Sequence, residues 1–402
     1  MRKHSHKLSQ KEHAMGGVFF VAFIAFFYVG ITATILSFTH STPIKNILLS
    51  ETATSTALFE TFPETETFPP VTHVQIPAAV KAAYMSACVA STPTMRDRVI
   101  NLINTTEINS IVIDVKDSAG IMSYKASDPA LLGTDGTAGC RIFHLRELLS
   151  LLHKDNVYII GRISVFQDEY SAKQRPEIAI KNKKTGGLWK DSGGKVWIDA
   201  GSKDTWDYTV ALAKDAYSQG FDEINFDYVR FPSDGKLSDM ILPISGTNEK
   251  SEVIKSFFEF LNTEMKTAGI TTSADLFGMT TTSSDDLNIG QILESALSNF
   301  DYVSPMVYPS HYPKGFNGWS NPNAHPYDVI HFVMKAGADR AIAASTTPLK
   351  IRPWLQDFSL GTPKYGKKEV EEQIQATYDA GLTSWMLWDP SNQYAGGALL
   401  RE

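Results

Sequence analysis

The stretch that decides the fold is Gly220-Phe221-Asp222-Glu223-Ile224-Asn225-Phe226-Asp227-Tyr228-Val229-Arg230-Phe231-Pro232. Apolar and polar side chains alternate along it, which predicts a strand with two distinct faces. The apolar face carries Ile224, Phe226 and Tyr228, and the polar face carries Glu223, Asn225 and Asp227. In a closed parallel barrel the apolar face packs beneath helices, and the polar face points into the barrel near its mouth.

The end of this strand carries charge. Pro232 and the Ser-Asp-Gly that follows stop the strand just beyond Asp227 and Arg230. The pattern therefore predicts a carboxylate and a guanidinium at the carboxyl end of a barrel strand, where barrel enzymes carry their chemistry. The alternative is a buried Asp227–Arg230 pair that only organises the loop.

Composition limits the classes of function. The 402 residues are 43% hydrophobic and 20% charged, as in an ordinary globular protein. A net charge of -7 and the lack of an aromatic-basic RNA motif argue against a nucleic-acid partner. The two cysteines, Cys88 and Cys140, are too few for a disulfide-rich scaffold or a four-thiolate zinc site. They form one bridge if the domain is exported, and their spacing does not decide this.

The N-terminal region divides into three segments. Residues 1–15 are basic, and residues 16–38 carry no charge. The second segment is long enough to cross a hydrocarbon core of about 30 Å as a helix. The basic flank predicts a cytoplasmic N-terminus and an extracytoplasmic domain, which makes residues 16–38 a single-pass anchor in the cell membrane. A cleaved signal peptide, followed by secretion, is the alternative. Residues 39–75 are rich in Ser, Thr, Pro and Glu and predict a flexible linker.

From residue 76 to residue 402 the sequence alternates between strand-like and helix-like segments, which is typical of βα units. The predicted strands are Ala82–Cys88, Ser110–Lys116, Val157–Val165, Glu223–Val229, Thr272–Phe277, Tyr302–Tyr308, Arg340–Ser345 and Ser384–Trp388. Eight such units favour a single (β/α)8 TIM barrel, of class α/β, over two doubly wound domains. No GxGxxG turn follows the first strand, which argues against a dinucleotide-binding domain. We expect the insertion at Lys173–Asp199 to form a hairpin that carries two tryptophans.

The residues at the predicted strand ends suggest a sugar ligand. Carboxylates, a few cations and many aromatic rings meet there, and sugars bind through aromatic faces and charged groups. Glycoside hydrolysis needs two carboxyl groups that flank the scissile bond. We expect Asp227 and Asp275 to be this catalytic pair, with Asp389, Asp114 or Asp117 as a substitute for the second role. The expected substrate-binding residues are Asp114, Lys116, Arg162, Trp189, Asn225, Arg230, Tyr308, His311 and Trp388.

Rival chemistries have weaker support. Residues 76–402 contain no HxH pair and no HExxH, so no transition-metal site is predicted there, although a carboxylate-bound Mg²⁺ or Ca²⁺ stays open. No GxSxG elbow indicates a serine hydrolase. We therefore expect neither a cofactor nor a metal.

At this point the residues resemble a known family. It is the glycoside hydrolase-like family of bacterial secreted and membrane-anchored proteins, first catalogued as a domain of unknown function. The most specific matching stretches are DYVRFP at 227–232 and PMVYPSHY at 305–312. Further support comes from 161–166, 175–179, 187–189, 273–278, 289–291, 352–358 and 385–390. The resemblance implies a TIM barrel that acts on a polysaccharide outside the cytoplasm.

Two better-known sugar barrels limit the mechanism. The fourth strand resembles the chitinase DxxDxDxE pattern, but the last position is Val229, so the chitinase general acid is absent. The strand also resembles that of the α-amylases, in which the aspartate at the position of Asp227 is the nucleophile. The arginine expected two residues earlier in that family is Asn225 here, and the fifth-strand carboxylate is Asp275 rather than a glutamate.

The sequence thus predicts an extracytoplasmic glycoside hydrolase that cleaves a cell-wall or extracellular polysaccharide with two carboxylates. Asp227 is the expected nucleophile or base, and Asp275 is the expected general acid. A non-catalytic glycan-binding barrel for surface attachment is the alternative. The sequence predicts no oligomeric state.

Overall fold

The computed structural model of the protein describes residues 69–134 and 139–401. The predicted basic tail, the predicted membrane anchor and nearly all of the predicted linker lie outside these residues. Among the helices of the described part, none has the length and apolar character that a membrane crossing requires.

Eight parallel strands close into a barrel, each paired with its neighbours along the chain and the last with the first. They are β1 (Lys81–Met85), β2 (Ser110–Lys116), β3 (Tyr158–Ser164), β4 (Glu223–Asp227), β5 (Thr271–Phe277), β6 (Tyr302–Met306), β7 (Trp354–Gln356) and β8 (Trp385–Trp388). With helices between the strands, this arrangement confirms the predicted (β/α)8 fold.

The helices of the described residues form the outer layer and the loops above the barrel. They are α1 (Ala87–Ser91), α2 (Pro93–Thr105), α3 (Leu145–Lys154), α4 (Glu169–Gln174), α5 (Lys203–Gln219), α6 (Lys250–Ala268), α7 (Leu293–Asn299), α8 (Pro326–Ala343) and α9 (Lys367–Asp379). The local signals are clear in α5, where the Ser202 side chain caps the first turn and accepts a hydrogen bond from the Thr205 N–H. Gly220 ends this helix with φ of 115° in the left-handed region, which directs the chain into β4.

The alternation of β4 has the predicted consequence. Ile224 and Phe226 are fully buried against the helices, in the main apolar cluster. Glu223, Asn225 and Asp227 are also buried, because their side chains meet partners from other strands inside the barrel. Both faces of the strand are therefore sequestered from water, as in other closed parallel sheets.

The barrel interior is layered. Its apolar filling is a separate cluster that includes Val112, Tyr158, Ile160, Trp354 and Met386. Near the amino ends of the strands lies an ion pair between Glu223 and Arg352, both fully buried. The Tyr158 hydroxyl donates to Glu223 Oε2 at 3.1 Å. The charges of Glu223 and Arg352, deep in the barrel, therefore neutralise each other and are separate from the charged groups at the mouth.

The chain enters the barrel at the amino ends of the strands. There Asp222 Oδ1 accepts a hydrogen bond from the Val74 N–H at 2.8 Å and lies 3.4 Å from His73 Nδ1. Asp222 Oδ2 accepts from the Ile159 N–H at 2.8 Å and lies 3.0 Å from His153 Nε2. One carboxylate therefore fastens the segment that precedes β1 to the closed end of the barrel.

One local prediction is wrong. Residues Arg340–Ser345 were expected to form the seventh strand, but Arg340 belongs to α8 and the strand is the three-residue β7. The helical pattern simply continues through this run, and a strand of three residues leaves almost no periodic signal.

The insertion at Lys173–Asp199 does contain antiparallel pairing. Lys181 pairs with Leu188, and the Trp189 N–H donates to the Ile180 carbonyl at 2.9 Å. The Ile180 N–H in turn donates to the Trp197 carbonyl at 2.9 Å, so both tryptophans take part. In addition, Lys181–Asn182 pairs antiparallel with Met240–Ile241, from the loop after β4.

A disulfide joins Cys88, in α1, to Cys140 across 52 residues of sequence. The sequence left this pairing open. The bridge connects the first helix after β1 to the loop that precedes α3.

Candidate active site

A cavity of about 260 Å³ opens at the carboxyl ends of the strands. Its lining combines two aspartates, two arginines, a histidine and many aromatic or thioether side chains. These residues are Arg162, Asp227, Tyr228, Arg230, Asp275, Phe277, Gly278, Met279, Met306, Tyr308, His311, Tyr312, Trp354 and Trp388. The structure thus brings together seven residues that the sequence predicted for the site: Asp227, Asp275, Arg162, Arg230, Tyr308, His311 and Trp388.

Asp227 is held by an arginine from the neighbouring strand. The register of β3 and β4 pairs Arg162 with Asn225 and Ser164 with Asp227. Arg162 donates from Nε at 3.1 Å and from Nη2 at 2.5 Å to Asp227 Oδ2. Its Nη1 donates to Asp114 Oδ1 at 2.7 Å. Arg162 thus makes two charge-assisted hydrogen bonds to Asp227 and one to Asp114.

The backbone at the end of β4 is unusual. Tyr228 has φ of 53°, in the left-handed region that non-glycine residues seldom occupy. Its N–H donates to Asp227 Oδ1 at 2.5 Å. Strained backbone of this kind concentrates at functional sites. It also separates Asp227 from Arg230, so the two do not form the local ion pair that was the alternative interpretation.

Asp275, on β5, has the opposite electrostatic environment. Burial, followed by the negative charge of Asp227, raises the pKa of Asp275 well above its usual range. Arg162 and hydrogen bonds from Asn225 and Trp354 offset only part of this rise in pKa. Both hydrogen bonds end on Oδ1, from Asn225 Nδ2 at 2.9 Å and from Trp354 Nε1 at 2.8 Å. The direction of this shift favours the protonated form of the carboxyl group, and Oδ2 accepts neither of these two hydrogen bonds.

The two carboxyl groups lie on adjacent strands at equivalent height. The last registered pair of β4 and β5 is Phe226 with Ala274. Asp227 and Asp275 are the next residues on each strand, and both point into the barrel. Neighbouring strands lie about 4.8 Å apart. An arginine-paired carboxyl group and a carboxyl group with a raised pKa thus share one cavity, and two carboxyl groups in different environments are what acid–base chemistry requires.

Aromatic rings surround this pair. Trp388 stacks on Tyr84 with ring centroids 4.2 Å apart, and Trp354 meets Trp388 edge-on at 5.5 Å. Tyr308 and His311 pack against each other on another side at 5.3 Å. Burial lowers the pKa of His311, so its imidazole is neutral at pH 7.

Three predicted substrate-binding residues lie behind the cavity wall. Asp114 accepts hydrogen bonds from Arg162 and, at 2.6 Å, from the Tyr84 hydroxyl. Asn225 supports Asp275. Lys116 is 1% exposed and donates to Asp168 Oδ2 at 2.5 Å, so it fastens the residue that caps α4. These residues orient the lining rather than form it.

Two predicted site residues lie elsewhere. Trp189 is 1% exposed, and its Nε1 donates to the Lys236 carbonyl at 3.1 Å, so its ring fills the core under the insertion. Asp389 accepts hydrogen bonds from the N–H groups of Ser391 and Gln393 at 3.0 and 2.8 Å. This carboxylate organises its own loop and does not line the cavity.

Sequence reasoning missed several contributors. Tyr84 was not singled out, although its inward position on β1 follows from alternation along that strand. Met279 has no charge or motif to mark it, and Met306 and Tyr312 lie in the PMVYPSHY stretch but were given no role. Among residues 69–134 and 139–401, no cluster of three or more His, Cys, Asp or Glu side chains is placed to hold a metal ion.

Solved structures with a similar fold include several carbohydrate-active proteins. The glycoside hydrolase domain of PgaB (BpsB) from Bordetella bronchiseptica has a TM-score of 0.56 at 11% identity, over 79% of this chain and 95% of that one. Alpha-L-fucosidase isoenzyme 2 from Paenibacillus thiaminolyticus has a TM-score of 0.51 at 12% identity, over 80% of this chain and 47% of that one. At such identities the likeness establishes the fold alone.

A hypothetical protein from Ruminiclostridium thermocellum shares 30% identity with a TM-score of 0.42, over 52% of this chain and 98% of that one. Among curated proteins, none matches the chain significantly. One family profile, described as "Putative glycosyl hydrolase domain", matches residues 82–394. Because this match spans the barrel from β1 to the loop after β8, the chain belongs to the family described in those words.

Proposed function

We propose that the protein is an extracytoplasmic glycoside hydrolase that cleaves a polysaccharide with Asp227 and Asp275. One observation carries the proposal: an arginine-paired aspartate and an aspartate whose pKa is raised by burial face the same cavity at the mouth of a (β/α)8 barrel. Family membership and the glycoside hydrolase folds among the structural neighbours support this class of reaction.

The strand register supports specific roles. Inverting enzymes separate their carboxyl groups by about 6.5–9.5 Å, and retaining enzymes by about 5–5.5 Å. Residues at equivalent positions of adjacent strands favour the shorter separation. We therefore assign Asp227 as the nucleophile and Asp275 as the acid that protonates the leaving oxygen. Asp275 then acts as the base that activates water. Trp388 and Tyr308 supply apolar faces on which a sugar ring stacks.

The disulfide supports a location outside the cytoplasm, because such bridges persist in oxidising compartments. An uncharged segment at residues 16–38 supports a membrane anchor in the same way. The proposed substrate is accordingly a cell-wall or extracellular polysaccharide.

A glycan-binding barrel without catalysis is the second candidate. The observation that favours it is the saturation of Asp227, since Oδ1 accepts from the Tyr228 N–H and Oδ2 from Arg162. A nucleophile of this kind has to exchange one of these hydrogen bonds for the sugar.

The test follows new reducing ends released from a panel of cell-wall and capsular polysaccharides. The full-length protein is compared with Asp227→Asn, Asp275→Asn and the surface control Asp339→Asn, whose carboxylate pairs with Lys335 on the exposed face of α8. Release by the parent and the control, but by neither active-site variant, supports the hydrolase. NMR of the first anomer formed reports retention or inversion. Equal glycan binding by all four proteins without release supports the binding module.

A further inference from the structure

Arg230 lies at the rim of the cavity among aromatic rings. It follows β4 closely and lines the cavity together with Phe277 and Tyr228. Its guanidinium carbon lies 5.0 Å from the ring centroid of Trp197, 5.5 Å from that of Phe277 and 5.6 Å from that of Tyr228. Three rings thus fix the plane of the guanidinium without neutralising its charge.

No carboxylate of the described residues forms an ion pair with Arg230. Its Nη1 donates to the Phe231 carbonyl at 3.0 Å and weakly to Ser233 Oγ at 3.4 Å. Its Nε is enclosed and has no hydrogen-bond partner. Nη2 is not enclosed, and it has no partner among residues 69–134 and 139–401. In Arg162, the same two nitrogens, Nε and Nη2, donate to the Asp227 carboxylate.

The acidic groups that act on Arg230 are already engaged. Burial lowers the pKa of Arg230, while Asp227, Asp234 and Asp191 oppose this from beyond ion-pair distance. Asp227 accepts hydrogen bonds from Arg162. Asp191 accepts from Trp197 Nε1 at 2.9 Å, and Asp234 accepts from the Ser192 N–H at 3.1 Å.

Arg230 is half-buried, and the two buried arginines of the barrel differ from it in their partners. Arg162 lies between two carboxylates, and Arg352 pairs with Glu223. An arginine stays charged in proteins, and a charge removed from water without a partner is costly. At a cavity wall, that cost falls when a ligand supplies the missing anion.

We propose that the sugar bound in the cavity is a uronic acid whose carboxylate pairs with Arg230, with Nη2 as the first contact. The substrate is then an acidic polysaccharide. A planar carboxylate matches the guanidinium fork, and a cavity of about 260 Å³ admits a compact ligand such as one sugar residue. This inference rests on the proposed function, because it names the substrate class of the same site.

The test uses calorimetric titration of the full-length protein carrying Asp275→Asn, which prevents turnover and replaces the carboxyl group by a neutral amide of nearly the same shape. The ligands are methyl glucuronide, methyl glucoside and methyl glucoside 6-sulfate. We expect the uronide to bind about 10- to 100-fold more tightly than the glucoside, as for hydrogen bonds to a charged group. Adding Arg230→Met abolishes this preference, whereas Arg230→Lys retains part of it. Thermal melts of each protein confirm that it is folded.

Equal binding of uronide and glucoside, or a preference that survives Arg230→Met, overturns the inference. Tighter binding of the sulfate ester than of the uronide overturns the carboxylate assignment. Reducing-end release by the otherwise unmodified protein separates the two claims. Equal cleavage of a uronic-acid polymer and its carboxyl-reduced form refutes the acidic substrate but keeps the hydrolase. Arg230-dependent uronide binding without any cleavage keeps the ligand and refutes the hydrolase.

Discussion

Replacing both bridged cysteines by serine, as Cys88→Ser/Cys140→Ser, should destabilise the barrel by a calculable amount. The bridge closes a loop of 52 residues. Loop-closure entropy for this length is about 14 cal/mol/K, or about 4 kcal/mol at 25 °C. Cys88 is exposed and Cys140 is partly exposed, so the serines sacrifice little packing. The loss therefore measures the constraint on the unfolded chain rather than a cavity.

The assay is urea unfolding followed by tryptophan fluorescence, which is suitable because most of the tryptophans are buried. The matched control is the wild-type protein in a thiol reductant, which should unfold at the same urea concentration as the variant. Reductant should leave the variant unchanged. A difference below about 1 kcal/mol between variant and oxidised wild type would refute the entropic reasoning. Mass spectrometry that detects two free thiols in the unreduced protein would refute the disulfide. It would also weaken the proposed extracytoplasmic location.

Three further outcomes follow from the site and its surroundings. Trp354→Phe removes a donor to Asp275 Oδ1. Because that hydrogen bond stabilises the ionised form, we expect the basic limb of the kcat/KM profile to move up by about one pH unit. An unmoved limb would contradict Asp275 as the acid. Burial raises the pKa of Asp357 to about 7. Between its usual value and this pKa the folded state holds a proton that the unfolded chain releases, so stability falls as pH rises through that window. Asp357→Asn should therefore stabilise the protein by up to about 4 kcal/mol at about pH 8 and little at about pH 4 in urea unfolding; equal effects at both would exclude the shift. Gly278→Ala would place a Cβ 2.4 Å from the Met306 carbonyl oxygen at the cavity wall. We therefore expect Gly278→Ala to bind sugar more weakly than wild type. The control Gly366→Ala, at an open helix end, should bind sugar as wild type does. Equal affinities for the two variants would show that the cavity wall shifts to accommodate the added methyl group.

The sequence predicted the barrel well because both faces of each strand are constrained. In β4, polar and apolar residues alternate, and the structure sends each set to a different layer. The position of β7 was predicted wrongly because a strand of three residues is too short to show an alternation of polar and apolar side chains. No predicted strand therefore placed Trp354, and its hydrogen bond to Asp275 was not foreseen.

The charge partners were harder to predict than the strands. Proximity in sequence suggested Arg230 for Asp227, but alternation brings Arg162 from the adjacent strand to that carboxylate. The left-handed backbone at Tyr228 turns the chain away before Arg230 is reached. Asp389 illustrates the other limit, because a strand-end carboxylate serves equally well to fold its own loop.

The contacts of Asp222 fix the end of the barrel at which the preceding chain segment is held. The described chain arrives at the amino ends of the strands, and the cavity opens at their carboxyl ends. Within the described residues, the mouth of the cavity is therefore a full barrel height from the point where the chain arrives. Force applied to the segment before β1 would reach the amino ends of the strands through Asp222, and not the carboxyl groups of the cavity.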